Sequence, residues 1–183
     1  MSADSNPGGS PESRIKITEI FLSIQGEAQF SGWPTVFVRL TGCPLRCKYC
    51  DTAYAFTGGD WWSIENILSE VSQHKVEHVC VTGGEPLAQL RCLDLLSALC
   101  DKGHAVSLET SGALDIGVVD KRVSRVMDLK TPGSGEEGRN RWENIPLLTE
   151  GDSLKIVICD RADYEWSRDI LKDRIEYACP VFL

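Results

Sequence analysis

Gly42-Cys43-Pro44-Leu45-Arg46-Cys47-Lys48-Tyr49-Cys50-Asp51-Thr52 places three cysteines in one short loop, with the spacing C-x3-C-x2-C. Three thiolates this close in sequence can hold a metal or an iron–sulfur cluster. A structural zinc site or an electron-transfer cluster normally takes a fourth protein ligand. A cubane held by three cysteines instead leaves one iron open for a substrate. The competing reading is a zinc knuckle whose fourth ligand is a distant cysteine or one of His74, His78 and His104. A knuckle needs no further ligand-binding loops, so the rest of the chain decides between the two.

Outward from the loop, strand and helix patterns alternate. Ile15–Ile24 reads as a first strand and Pro34–Thr41 as a second, rich in Val and Phe. Residues 63–74 read as an amphipathic helix with Ser63 as N-cap and Ile64, Ile67, Leu68 and Val71 on one face. Residues 78–82 read as a strand. Residues 86–101 read as a helix with Pro86 in its first turn and Gly103 just past its end. Residues 105–109 and 125–130 read as strands, 131–140 as a Gly-rich polar loop and 141–149 as a short helix. Residues 154–159 read as a strand, 162–174 as a helix and 178–183 as a last strand. Such alternation implies a parallel sheet flanked by helices, an α/β fold in one domain.

The unusual motifs gather at the C-terminal ends of these strands. Gln25-Gly26-Glu27 follows the first and the cysteine loop the second. Thr82-Gly83-Gly84-Glu85-Pro86 follows the third, Glu109-Thr110-Ser111-Gly112 the fourth, and Asp128-Leu129-Lys130-Thr131-Pro132 the fifth. Ligands bind at that end of parallel α/β folds. A lone Gly-Gly is usually a turn; five polar motifs on one rim indicate a site. Alternation along the second strand puts Val36, Val38 and Leu40 on one face and Phe37 with Arg39 on the other. Both faces of a parallel strand are covered, so Arg39 is enclosed and needs a partner. That partner is a ligand, or Glu109 or Glu27 in a structural pair. Glu109 poses the same problem, and Asp128 and Lys130 share a face. Gly83 and Gly84 permit close approach of a ligand to the backbone. Thr52 offers a hydroxyl beside the cysteines, or serves as a turn residue.

The 183 residues suffice for one domain with a substantial core. A net charge of −8 argues against a broad nucleic-acid or anionic-membrane surface. No apolar run is long enough to span a bilayer. Met1–Pro11 has neither the basic nor the apolar region of a signal peptide, and residues 1–14 read as a disordered tail. Eight cysteines in such a chain fit a reducing cytoplasm and ligand thiolates, with Cys80, Cys92, Cys100, Cys159 and Cys179 mostly buried core thiols.

The three-cysteine loop, with Tyr49 before its last cysteine, and Gly83-Gly84-Glu85-Pro86 resemble the radical S-adenosylmethionine enzymes. Phe21–Glu27, Phe37–Cys43 and Cys50-Asp51-Thr52, supported by Glu109–Gly112 and Asp128–Lys130, narrow the resemblance to the 7-carboxy-7-deazaguanine synthase family. It covers residues 15–183. It implies an incomplete, modified parallel (β/α) barrel and conversion of 6-carboxy-5,6,7,8-tetrahydropterin to 7-carboxy-7-deazaguanine with loss of ammonia, in queuosine and 7-deazapurine biosynthesis. By resemblance, Cys43, Cys47 and Cys50 hold a 4Fe-4S cluster. Tyr49, Cys50, Asp51, Gly84, Asp128, Leu129 and Lys130 bind S-adenosylmethionine, which yields a 5′-deoxyadenosyl radical. Ile24, Gln25, Gly26, Arg39 and Thr82 bind the substrate, with Glu27 and Glu109 as weaker candidates, and Thr52 binds magnesium. The resemblance also implies a cytoplasmic homodimer served by a reductant such as a flavodoxin or ferredoxin. Family members commonly continue past Cys179-Pro180-Val181-Phe182-Leu183, which implies a C-terminal truncation here. Two other readings stand beside this one: a glycyl-radical activating enzyme, and a non-enzymatic iron–sulfur or zinc module.

Overall fold

The computed structural model describes residues 13–173 and 176–183, so the expected tail at 1–14 lies almost wholly outside the described residues. The strands are β1 (Ile15–Ile24), β2 (Pro34–Leu40), β3 (Asp60–Trp62), β4 (His78–Gly83), β5 (Ala105–Thr110), β6 (Ser124–Asp128), β7 (Ser153–Lys155) and β8 (Val181–Phe182). The helices are α1 (Ile64–Gln73), α2 (Cys92–Asp101) and α3 (Arg161–Asp173). The eight strands of the described residues join one sheet in the order β3-β1-β2-β4-β5-β6-β7-β8, which is not closed into a ring. From β2 to β8 the pairing is parallel, as the alternation of strands and helices implied. At the other edge β1 runs antiparallel to β2 and to β3, a departure from the all-parallel expectation. The connection between β1 and β2 is too short for a crossover, so it returns as a hairpin.

The helices cover one face of this open barrel. Val36, Val38 and Leu40 from β2 pack with Ile15, Ile17, Val79, Val81, Val106 and Leu108 against α1 and α2, all fully or almost fully buried. A second cluster joins Met127, Leu129, Leu154 and Ile156 to Ile170 of α3. Ser63 caps α1, its hydroxyl accepting from the Asn66 amide at 3.2 Å. The open side is bridged laterally: the Gln29 amide donates to the carbonyls of Gly151 and Asp152, and Lys155 pairs with Glu27 at 2.6 Å. No helix among the described residues is long and apolar enough to cross a membrane.

Several expected elements change, among them the last strand, which narrows from 178–183 to β8. The helix expected over residues 86–101 is a 3-10 turn at Pro86–Ala88 followed by α2. Gln89 between them is extended, and its side chain bonds the backbone of Lys16 at both N and O and the carbonyl of Thr41. Those bonds hold it out of the helix. The helix expected over 141–149 is a 3-10 run at Trp142–Leu147 containing Pro146, which has no N–H to give an α-helix. The strand expected over 154–159 narrows to β7, and β3 is an element the sequence pattern did not reveal. Arg174, expected to end the last helix, lies outside the described residues.

The core and the cap set different stability scales. Leu95→Ala, at a fully buried α2 position, should cost about 2–5 kcal/mol. Ser63→Ala should cost about 1 kcal/mol through the lost cap. Urea unfolding of the two variants checks the order, and a Ser63→Ala cost equal to that of Leu95→Ala would contradict it.

Candidate active site

A cavity of about 570 Å³ opens at the C-terminal ends of the parallel strands. Its wall is built from the motifs that end those strands: Gln25, Gly26 and Glu27 after β1, the cysteine loop after β2, and Thr82–Gly84 at β4. Glu109–Ser111 come from β5, Asp128 and Lys130 from β6, and Lys155 from β7. A space this size accommodates a cofactor and a small-molecule substrate together.

The cysteine loop is pinned from three sides. The Gly42 amide donates to the Ala55 carbonyl at 2.8 Å, and the Glu85 amide donates to the Gly42 carbonyl at 2.9 Å. From the loop after β6, the Ser134 carbonyl accepts from the Lys48 amide and Glu136 accepts from the Arg46 amide. Leu45 is buried beneath. Cys43, Cys47 and Cys50 are unpaired thiols that line the cavity half-exposed. Burial raises the Cys43 and Cys47 pKa values above that of an ordinary thiol, and the neighbouring cysteines add to it. Among the described residues no group of three His, Cys, Asp or Glu side chains is close enough to hold one metal ion. Thiolates that each bind a different iron of a cubane stand farther apart than thiolates sharing one ion. None of the histidines proposed as a fourth zinc ligand lines the cavity. His78 is fully buried, bonded to the Thr35 hydroxyl and stacked on Phe30, and burial lowers its pKa to about 4.

The double glycine serves the protein's own backbone. Gly83 has φ +138, and a Cβ there would strike Leu40 of the neighbouring strand. A Cβ on Gly84 would overlap the Gly42 carbonyl and lie 2.8 Å from the Cys43 Cβ. The close approach inferred from these residues is thus made by the cysteine loop. Glu85 is fully buried, and its carboxylate accepts from Thr110, Ser111 and the Leu87 amide. It locks the β4 turn to the end of β5.

Inside the cavity the charged groups have partners, most of them of opposite charge. Glu109 accepts from Gln25 at 3.2 Å and from Thr82 at 2.7 Å. Asp128 pairs with Lys130 at 3.1 Å and lies 3.7 Å from Lys155. Burial opposes the charge on both lysines, but Asp128 together with further acidic neighbours, the cysteines for Lys130 and Glu27 and Glu109 for Lys155, holds each pKa above the ordinary value. Lys130 also sits over the Tyr49 ring. Arg39 pairs with Glu19, not with either glutamate proposed for it from the sequence. The hairpin places Glu19 directly opposite Arg39, a register invisible without the sheet.

Most of the expected site residues meet here. Cys43, Cys47, Tyr49, Cys50, Asp51, Thr52, Gln25, Gly26, Arg39, Thr82, Gly84, Asp128 and Lys130 all line the cavity. Ile24 does not; it is 58% exposed on the outer surface. Leu129 is turned into the α3-side core. Lys155 was not expected at the site, and Ser111 and Glu85 were expected only as members of their motifs, with no role of their own. Lys155 had one signal in the sequence, its alternation with Leu154, which is buried; its pairing in register with Asp128 shows only in the sheet. Of the five cysteines expected in the core, Cys80, Cys92 and Cys179 are buried, Cys100 is half-buried and Cys159 is exposed.

Two polar atoms test whether a further group fits. The Tyr49 hydroxyl and Asp128 Oδ1 are buried yet have no hydrogen-bond partner among the described residues. Such atoms cost free energy unless something satisfies them. Both belong to cavity-lining residues beside the three thiols. Soft thiolates with polar groups next to them fit an iron–sulfur cluster and a polar organic cofactor. The packing of Gly84 yields a prediction independent of any ligand. Gly84→Ala should lower stability by about 3 kcal/mol by forcing the cysteine loop away. Gly26→Ala, with no atom within 4 Å of its Cβ, should be nearly neutral. Equal denaturation midpoints for the two variants would refute the packing argument.

The radical SAM superfamily model matches residues 37–133. The 7-carboxy-7-deazaguanine synthase of Chlorobaculum tepidum is 46% identical over 165 residues, covering 88% of this chain and 75% of that protein. That of Koribacter versatilis is 44% identical, covering 86% of this chain and 71% of that one. The crystal structure of QueE from Escherichia coli superposes with a TM-score of 0.69 over 93% of this chain and 84% of that chain, at 22% identity, which shows a shared fold. The chain therefore belongs to the 7-carboxy-7-deazaguanine synthase family of the radical SAM superfamily.

Proposed function

We propose that this chain converts 6-carboxy-5,6,7,8-tetrahydropterin to 7-carboxy-7-deazaguanine with release of ammonia, in queuosine and 7-deazapurine biosynthesis. The observation that carries this reading is the shared cavity: the three-thiol loop and the polar interior of Gln25, Arg39, Thr82 and Glu109 face the same space. Relatives bearing that enzyme's name across most of the chain support it.

Cys43, Cys47 and Cys50 hold a 4Fe-4S cluster as thiolates, leaving one iron for S-adenosylmethionine. Once bound, cluster and S-adenosylmethionine together supply a radical able to take a hydrogen atom from an unactivated carbon. The chain's own residues bind and orient. Tyr49, Asp51, Gly84, Asp128 and Lys130 surround the S-adenosylmethionine, with the unsatisfied Tyr49 hydroxyl and Asp128 oxygen as its polar contacts. Gln25, Gly26, Arg39 and Thr82 bind the pterin. Glu109, already accepting from Gln25 and Thr82, is placed to accept a pterin N–H as well. Ile24 and Leu129, whose side chains do not line the cavity, contribute main-chain atoms at most. The product plus ammonia has the composition of the substrate, so the conversion consumes no net reductant. A flavodoxin or ferredoxin serves only to start the reaction. The protein works as a cytoplasmic homodimer.

Thr52 binds magnesium, a hard cation that prefers oxygen ligands. Its hydroxyl donates to Asp51 at 2.7 Å, so a lone pair remains for a cation.

Anaerobic turnover tests the reading. The reconstituted protein should take up about four irons per chain, and should convert the carboxytetrahydropterin to a product of the expected mass and ultraviolet spectrum. Ala at Cys43, Cys47 or Cys50 should abolish both; Cys92→Ala should spare the iron. Stoichiometric zinc with no iron uptake, or an iron-loaded protein that leaves the pterin unchanged, would refute it. A magnesium titration of Thr52→Ala should require about tenfold more metal for half-maximal rate, its iron content unchanged. An unaltered titration curve would remove Thr52 from the magnesium site.

A further inference from the structure

Ile17 pairs with Leu40, but two residues later Glu19 pairs with Arg39, so β1 gains one residue at Thr18. Without that irregularity Thr18 would oppose Arg39. The extra residue flips the alternation. Ile15 and Ile17 face the helix-side core, and beyond the shift Ile20 rejoins it. Phe21 instead stacks on Phe37 of the cavity wall, with centroids 5.1 Å apart. Glu19 is thereby moved from the helix face to the face that carries Arg39. Bulges beside sites re-aim side chains in this way.

The Glu19 carboxylate accepts from Arg39 Nε at 2.7 Å and from the Tyr54 hydroxyl at 2.7 Å. The guanidinium lies 5.7 Å from the Phe21 ring centre and 5.9 Å from that of Tyr54. Its Nε is thus engaged and two aromatic rings lie close to it, while Arg39 still lines the cavity. What remains is the Nη1/Nη2 fork, whose spacing matches a carboxylate.

We propose that Glu19, held by Tyr54, is a positioning residue that fixes the Arg39 guanidinium so that its terminal fork receives the carboxylate of the substrate. Glu19 itself does not line the cavity and acts through Arg39. The proposal rests on the substrate reading given above. The extra residue in β1 is the structural cost of the arrangement, and a purely structural pair could be made without aiming a cation into a cavity.

Equilibrium binding of 6-carboxytetrahydropterin to the cluster-loaded protein with S-adenosylmethionine tests it. Glu19→Ala should weaken substrate binding about tenfold, and leave S-adenosylmethionine affinity unchanged. Glu19→Gln, which still accepts both bonds, should recover most of the loss. In an Arg39→Ala background, Glu19→Ala should add nothing. Should Glu19→Ala fail to load its cluster, Tyr54→Phe decides, with an expected loss of about threefold. Undiminished affinity in Glu19→Ala (or in Tyr54→Phe, where that variant decides), or a loss that adds fully to that of Arg39→Ala, overturns the proposal. If the unmodified protein converts the pterin and these variants bind it normally, positioning alone falls. If the unmodified protein neither binds nor converts it, the functional reading falls too.

Discussion

Where β4 ends, the chain passes so close to the cysteine loop that no side chain fits between them. Gly84 lies against the Gly42 carbonyl and the Cys43 Cβ, and Gly83 against Leu40. The backbone bonds from Gly84 to Leu40 and from Glu85 to Gly42 depend on that contact. So does the buried Glu85 carboxylate, which reaches Thr110 and Ser111 only because the β4 turn is pressed inward. One packing constraint therefore fixes the first cysteine and the ends of three neighbouring parallel strands. A motif that looks made for a ligand is first a joint between two loops.

The second organising feature is a polar interior in an otherwise apolar fold. Glu109, Asp128, Lys130, Lys155 and Arg39 all face one cavity, and all have partners: hydrogen-bonding side chains for Glu109, opposite charges for the others. An unpaired charge there would cost several kcal/mol. Among the described cavity-lining residues, the Tyr49 hydroxyl and one Asp128 oxygen stay buried and unsatisfied. The charged groups of the interior thus have partners without a ligand, and polar valence remains to offer one. Lys155 does double service, neutralising Asp128 and tying Glu27 to β7 across the open side of the sheet.

What could be read from the chain is what depends on neighbours in sequence. The alternation in Pro34–Leu40 correctly sent Val36, Val38 and Leu40 to the core and Arg39 to the cavity side, because parity is local. The Ser63 cap and the parallel run from β2 onward follow from short-range patterns. The misreadings share a cause. Gln89 leaves the helical pattern to bond Lys16, 73 residues away, and nothing near Gln89 announces it. The partner of Arg39 depends on one extra residue in β1, which changes which side chain faces it. The direction of β1 was hidden by a strand pattern that reads the same parallel or antiparallel. Expected site residues Ile24 and Leu129 fall off the cavity because a contiguous motif in an extended segment cannot aim every side chain the same way.

The central claim is that three thiols hold a cluster with one iron left for S-adenosylmethionine. Electron paramagnetic resonance of the reduced, anaerobically reconstituted protein tests it most directly. The account predicts a reduced-cluster signal that changes when S-adenosylmethionine is added, and that is missing when any of Cys43, Cys47 and Cys50 is replaced by alanine. A signal untouched by S-adenosylmethionine, or one that survives loss of any of these cysteines, would contradict it.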